Sequence, residues 1–326
     1  MNDENVDKNN AMEPSSEGFV PTVEGAIEPS LEQPSDPTVA VPEQPANPAP
    51  EQPAEKGTLK EKERGRKFPT WTDFFATAGV FVLSVLLGGV VLMLLSQSTL
   101  PASSPQATFV YYLVQMLPTI VYLLWLRRRA GRDSGIHLGV GRVNMPIVLW
   151  GVLILLASGV VLEPLLELST SESYDMVVQT IGRGGWAILS TVVAAPILEE
   201  ILFRGLILES CRERFGNGVA LFVSSLLFGI IHVVPVQVIN AFVVGFILGY
   251  IYLRTRSLLS VMLLHAINNA VAYLTLIFFG DKTDLTVRAL LPQDWLYWTV
   301  YAISAVLFLW AMIRLWLSLR DHTEVE

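Results

Sequence analysis

The sequence predicts an all-α polytopic membrane protein of about eight transmembrane helices, with a polar site at bilayer depth and a disordered tail ahead of the first helix. Three observations carry that prediction. Hydrophobic residues make up 52% of the chain against 16% charged, with a mean hydropathy of +0.48. Eight apolar segments follow one another, most of them near the roughly 20 residues that cross a bilayer core. Several ionisable residues sit inside those segments rather than between them, where each costs roughly 2.5–3.5 kcal/mol on insertion scales.

The tail comes first. Residues 1–55 hold twelve Asp and Glu against Lys8 alone, together with ten prolines. The net charge of −8 therefore belongs to this stretch, and the remainder of the chain is mildly basic. Too little apolar surface is present there to offset chain ordering, so an acidic, Pro-rich disordered tail is expected, with a cytoplasmic partner as its candidate role. No apolar run opens the sequence, so no cleaved signal peptide is expected. Residues 56–70, which begin KGTLKEKERGRK, form a basic juxtamembrane segment. The transmembrane domain then runs over 71–320.

Its apolar segments lie at 72–97, 106–126, 146–167, 185–209, 218–236, 237–253, 257–279 and 295–317. The fifth and sixth are short and separated only by the turn signal VVPVQ at 233–237, so they read either as two spans or as one broken element. Trp71, Trp125, Trp295 and Trp298 fall near segment ends, as interfacial anchors do. GFILG at 245–249 is a small-xxx-small pattern that lets helices approach closely. The single cysteine, Cys211, rules out an intramolecular disulfide and a Cys-cluster metal site, and reads as packing rather than as a nucleophile.

Charge sets the orientation. With the amino terminus inside, seventeen of the twenty basic residues flanking the segments fall on the cytoplasmic side, among them Arg127, Arg128, Arg129, Arg132, Arg142, Arg212, Arg214, Arg254 and Arg256. Arg183, Lys282 and Arg288 fall outside, as does the acidic loop STSESYD at 169–175. Both termini are then cytoplasmic, and the expected location is a cytoplasmic membrane, bacterial in type. His137 and His322 fall in cytoplasmic, solvated segments.

Three segments carry polar groups that a lipid-facing helix would reject. The fourth holds Glu199, Glu200 and Arg204 in AAPILEEILFRG; the fifth holds His232 in FGIIH; the seventh holds His265, Asn268 and Asn269 in LLHAINNA. Glu200 and Arg204 are four apart and share a helix face, while Glu199 sits about 100° round and points elsewhere. His265 and Asn269 are also four apart, and Asn268, turned away, reads as an interhelical donor. Counted from the cytoplasmic ends, Glu199 lies roughly 15 Å deep, His265 roughly 12 Å, Asn269 roughly 18 Å and His232 roughly 21 Å, which is one layer within the uncertainty of helix ends. Pro196 and Pro235 each stand three residues from this layer, where an interior proline would kink the helix.

EEILFR fits an EExxxR pattern, FGIIH fits FxxxH and HAINN fits HxxxN, in that order on successive apolar segments. Residues 185–280 thereby resemble the core of the CPBP intramembrane protease family, which includes the type II CAAX prenyl endopeptidases and bacterial bacteriocin-processing and self-immunity proteins. The resemblance implies that Glu199 with His232 activates a water for attack on a peptide carbonyl. It implies that Glu200 and Arg204 complete the first motif and brace the helix, and that His265 and Asn269 polarise the carbonyl and stabilise the oxyanion. None of the motif positions departs from the family pattern.

The residue types support that chemistry independently, because peptide hydrolysis needs a base, an electrophilic stabiliser and a positioned water. Zinc held by Glu199, His232 and His265 with one open position would serve as well. No HExxH occurs, so zinc-dependent and metal-free glutamate-dependent hydrolysis both stay open, and the family's naming inclines toward the metal. The competing reading is a non-proteolytic scaffold, or a transporter with an intramembrane polar relay, since ionisable residues in a membrane cavity also conduct protons. A relay needs only carboxylates; a glutamate with two histidines and an asparagine supplies base and oxyanion stabiliser together. The expected partners are the lipid bilayer and a membrane-associated protein or peptide substrate, of CAAX or leader-peptide type, and not nucleic acid.

Overall fold

The computed structural model describes residues 67–97, 100–166, 181–232, 234–279, 286–291 and 293–323. The acidic tail, most of the basic juxtamembrane segment and the STSESYD loop lie outside them. Among the described residues every regular element is helical, and seven helices are long and apolar enough to cross a membrane. The chain is an integral membrane protein. In chain order the helices are α1 (Trp71–Ser96), α2 (Pro105–Arg129), α3 (Met145–Leu166), α4 (Gly185–Ile230), α5 (Pro235–Thr255), α6 (Leu258–Phe279), a single turn α7 (Val287–Leu290) and α8 (Asp294–Thr323).

The starts of α1 and α2 follow from local chemistry. Thr70 accepts the backbone N–H of Asp73 on its hydroxyl at 3.1 Å, and the Asp73 carboxylate accepts the N–H of Thr70 at 2.8 Å, a reciprocal capping box. Ser104 caps α2, and Pro105 fills the first position, where no N–H is needed.

The 46-residue α4 accounts for the eighth crossing. A straight helix of that length would run about 69 Å, more than twice the bilayer core. It does not run straight, because Gly216 adopts φ 81°, ψ 174°, outside helical space and accessible mainly to glycine. The limb after Gly216 folds back along the limb before it. The Ser224 hydroxyl donates to the Phe203 carbonyl at 2.8 Å, and the Phe203 and Phe228 rings meet edge to face at 5.2 Å. α4 ends at Ile230 and α5 returns beside the second limb, so close that a Cβ on Gly229 would come within 2.9 Å of the Val238 carbonyl. The fifth and sixth apolar segments are thus two spans. Pro235 opens α5 and does not kink a helix interior: α4 ends at Ile230, and proline suits the first turn of the next helix. For the same reason His232 lies in the turn after α4 and not within a helix.

Lipid supplies no hydrophobic force between helices, so packing depends on close approach and polar contacts. Glycine provides the approach. A Cβ on Gly245 would meet the Phe228 ring at 2.9 Å and one on Gly249 would meet Leu221 at 2.7 Å, which accounts for the GFILG pattern. At the helix ends rich in arginine, the buried Arg127 guanidinium donates to the Asp133 carboxylate and carbonyl, to Ser210 Oγ and to Glu213. The loop after α2 then caps α6, whose Leu258 and Leu259 N–H groups donate to His137 and Leu138 carbonyls at 3.0 Å. Trp71, Trp125, Trp295 and Trp298 are all exposed to the surroundings of the helices.

Candidate active site

Two widened, π-helical stretches, Leu189–Ala194 and Ile201–Leu208, flank a short α-helical segment, Ala195–Glu200, in the first limb of α4. Such turns disturb the regular i→i+4 ladder and concentrate at functional positions. Here the disturbance has a sequence cause. The N–H of Ala195 reaches back five residues to the Ser190 carbonyl, and Pro196 has no N–H to offer. The Thr191 carbonyl accepts instead from Asn269 Nδ2 of α6 at 3.0 Å. Asn269 therefore ties α6 to the first limb of α4, while Asn268 donates to Asn269 Oδ1 at 3.4 Å rather than across to another helix.

The segment between the π turns delivers both glutamates inward. Glu200, fully buried, accepts on Oε1 from Arg204 Nη1 at 2.8 Å and bonds His265 Nδ1 at 2.8 Å. Arg204, also fully buried, donates a second bond to the Gly245 carbonyl at 3.1 Å and lies 4.5 Å over the Phe228 ring. The i,i+4 pair read from the sequence is present, and it also holds α5 and α6 to α4. Glu199 turns the other way, as its helical offset requires. Its Oε1 accepts the Tyr112 hydroxyl of α2 at 2.9 Å, and its Oε2 lies 3.6 Å from His265 Nε2. That separation exceeds a direct hydrogen bond and suits a bridging molecule.

His265 thus stands between the two carboxylates, and its tautomer is set by them. The Glu200 oxygen already accepts from Arg204, so Nδ1 of His265 must be the donor, leaving Nε2 facing Glu199. His232 is oriented similarly, with Nδ1 against the Phe228 carbonyl at 2.8 Å, an oxygen that can only accept. Its Nε2 has no hydrogen-bond partner among the described residues. Phe228, the first residue of FGIIH, is the hub of the arrangement: its ring meets His232 at 5.2 Å and His265 at 5.6 Å, beneath the Arg204 guanidinium.

Glu199, Glu200, Arg204 and His265 therefore form one contiguous network. His232 joins it through the Phe228 ring, making no ion pair or hydrogen bond with either glutamate among the described residues, and Asn269 joins through the Thr191 backbone. Glu199, His232 and His265, the three residues expected to hold a zinc, are not drawn together as one set here. Among the described residues no three His, Cys, Asp or Glu side chains gather closely enough to hold a metal ion, and both ring nitrogens of His265 face glutamate oxygens.

An apolar cavity of about 400 Å³ lies beside the network, between α1, α2 and α4, lined by Phe74, Phe81, Tyr111, Thr119, Leu202 and Ile231 among others. It runs inward from Pro69 and Asp73 at the start of α1, and two of its lining residues, Tyr111 and Ile231, immediately precede Tyr112 and His232 in the chain.

Tyr112 is the group that motif reading missed. The available signal was physical: a phenol inside an apolar span needs a hydrogen-bond partner at that depth. Neither a curated protein nor a solved structure matches the chain. The protein-family comparison does give a match, to the type II CAAX prenyl endopeptidase Rce1-like family, over residues 182–271. That stretch holds every motif residue from Glu199 to Asn269 and agrees with the CPBP resemblance of the three motifs, so the chain carries an Rce1-like domain over residues 182–271.

Proposed function

We propose that the protein is an intramembrane endopeptidase that hydrolyses a peptide bond in a membrane-associated protein or peptide, of CAAX or leader-peptide type. One observation supports this above the rest. Of two adjacent buried glutamates, Glu200 is bonded at 2.8 Å by both Arg204 and His265 Nδ1, while Glu199 meets no arginine or lysine among the described residues and faces His265 Nε2 across 3.6 Å. A buried charge normally acquires a partner, and one left available at bilayer depth indicates chemistry.

In the proposed reaction a water lies between Glu199 Oε2 and His265 Nε2. Glu199 takes a proton from it as the oxygen bonds to the substrate carbonyl carbon. The His265 imidazole faces the developing oxyanion across the same gap, and His232 presents its Nε2 on the other side of Phe228. The C–N bond then breaks, the proton held by Glu199 passes to the leaving nitrogen, and the products are a carboxylic acid and an amine, which exchange the remaining water proton to become carboxylate and ammonium. Every step runs through groups of this chain. The apolar cavity between α1, α2 and α4 suits a substrate that arrives from the membrane, and the clustering of arginines at one end of the bundle supports cytoplasmic termini in a bacterial-type cytoplasmic membrane.

The test compares membrane proteomes of cells producing wild-type protein and Glu199→Gln. A substrate that accumulates uncleaved only with the variant is the expected result, and purified Glu199→Gln should fold and fail to cleave it. Equal cleavage by the variant would leave the scaffold or relay reading in its place.

A further inference from the structure

We propose that Tyr112 is a positioning residue for Glu199, completing the site from a helix that lies outside the Rce1-like segment. The inference rests on the proteolytic reading above. α2 precedes residues 182–271 by more than fifty positions, yet its Tyr112 hydroxyl reaches Glu199 Oε1 at 2.9 Å.

The placement is built rather than incidental. α2 lays Tyr112, Met116, Ile120 and Leu123 along one face at helical spacing, and the last three belong to the same buried cluster as Leu202, Phe203 and Leu206 of α4. Toward the other end of that face, Phe109 meets Trp186 at 5.5 Å, so α2 is fixed to the first limb of α4 on both sides of Tyr112. The neighbouring Tyr111 is wedged as well: its ring occupies the space a Cβ on Gly88 of α1 would need, at 2.7 Å. The backbone that carries the phenol is therefore held from two helices.

The consequence for Glu199 follows from counting donors. Glu200 draws Arg204 and His265 to one oxygen, whereas the Tyr112 hydroxyl is the hydrogen-bond donor within reach of Glu199 among the described residues. A phenol bound to Oε1 fixes the carboxylate plane and leaves Oε2 as the oxygen turned to His265, the orientation a base needs before water is positioned. Without the hydroxyl the carboxylate rotates freely about its last torsion, which has a broad profile. Misplacement of a catalytic group by about 1 Å costs on the order of 100-fold in rate.

Tyr112→Phe keeps the ring and its packing and removes only the donor. In the full-length protein it should lower kcat on the substrate found in Glu199→Gln membranes by roughly 10- to 100-fold, with KM and melting temperature close to wild type. A second readout needs no turnover: the infrared difference between wild type and Tyr112→Phe should contain a shifted carboxylate band that disappears when the same difference is taken in the Glu199→Gln background. Wild-type kcat in Tyr112→Phe overturns the proposal. So does a loss shared between kcat, KM and stability, which marks a packing role, or a difference spectrum without a carboxylate band. If Glu199→Gln itself cleaves normally, the proteolytic reading fails, and the infrared band still decides whether the hydroxyl holds that carboxylate.

Discussion

Replacing Glu200 by glutamine tests the division of labour between the two glutamates. The side chain keeps its shape, but the charge opposite Arg204 disappears in a place where both residues are fully buried. At the observed 2.8 Å, two unit charges in an effective dielectric of about 20 interact by about 6 kcal/mol before desolvation is counted. Removing one member of a buried pair typically costs about 3–5 kcal/mol, because the survivor stays buried without its counter-charge. Arg204 would still reach the Gly245 carbonyl and the Phe228 ring, and the amide oxygen can accept one bond, so the low end, about 3 kcal/mol, is expected. Little reserve exists, since Glu200 Oε2 and Arg204 Nε already lack partners among the described residues. For a domain of this size the melting temperature should fall by roughly 6–12 °C. Thermal unfolding of the detergent-solubilised protein, followed by circular dichroism, reads it directly. Arg204→Met in the same background supplies the control: with both charges gone, the double variant should be more stable than the two single losses added together. A Glu200→Gln protein melting within a degree or two of wild type, or a strictly additive double variant, would refute the architectural assignment.

Gly135→Ala should destabilise the fold by about 1–3 kcal/mol and lower activity with it, because the residue has φ +72° and a new Cβ would sit 2.2 Å from the Gly205 carbonyl, next to Arg204; a shift in melting temperature measured beside wild type checks this. The topology is tested with Arg132→Cys and Asp294→Cys in a Cys211→Ser background. Impermeant thiol reagents applied from outside should label position 294 and spare 132, and the reverse pattern would invert the orientation. At the loop after α2, burial works against the Asp133 carboxylate, but the hydrogen bond and charge of Arg127 outweigh it and hold its pKa below the usual carboxylate range. A depressed folded-state pKa contributes stability above the unfolded pKa and loses it as pH falls through the folded value, so acidification below about pH 4 should weaken the fold slightly more in wild type than in Asp133→Asn. The side chain is 61% exposed, which limits the difference to less than about 1 kcal/mol, measured as melting temperature against pH.

How far the sequence carried the reading depends on the range of each interaction. Spans are set by local composition, and the boundaries of α1, α2 and α6 fall within a few residues of the apolar segments. The Glu200–Arg204 pair was legible because helical spacing fixes it, and the free direction of Glu199 followed from the same geometry. The role of Pro235 was not legible, because proline at the first turn of a helix and proline in its interior differ only in where the preceding helix stops. The π turns were hidden too: a change from i→i+4 to i→i+5 leaves hydropathy untouched, and its trace in the sequence was Pro196, whose missing donor is answered by Asn269, 73 positions later. Tyr112 lay furthest from reach, since its partner stands 87 residues away and a tyrosine near the middle of an apolar segment attracts no notice.

These long-range contacts explain why a polar site can exist in this membrane domain at all. A lone carboxylate at bilayer depth would shed its charge or draw in water, and two adjacent ones would repel. The fold gives them different donors, Arg204 for Glu200 and Tyr112 for Glu199, and sets His265 between them. Arg204 of α4 and His265 of α6 bond Glu200, and the Gly245 carbonyl of α5 takes the second Arg204 bond; the absence of a Gly245 side chain admits the Phe228 ring beneath the guanidinium. That ring in turn seats His232 and His265 on its edges. Glu199 is left with a neutral donor from α2 on one oxygen and an imidazole beyond hydrogen-bond distance on the other. One glutamate is thereby committed to cohesion, and the other keeps an oxygen turned to His265 across 3.6 Å.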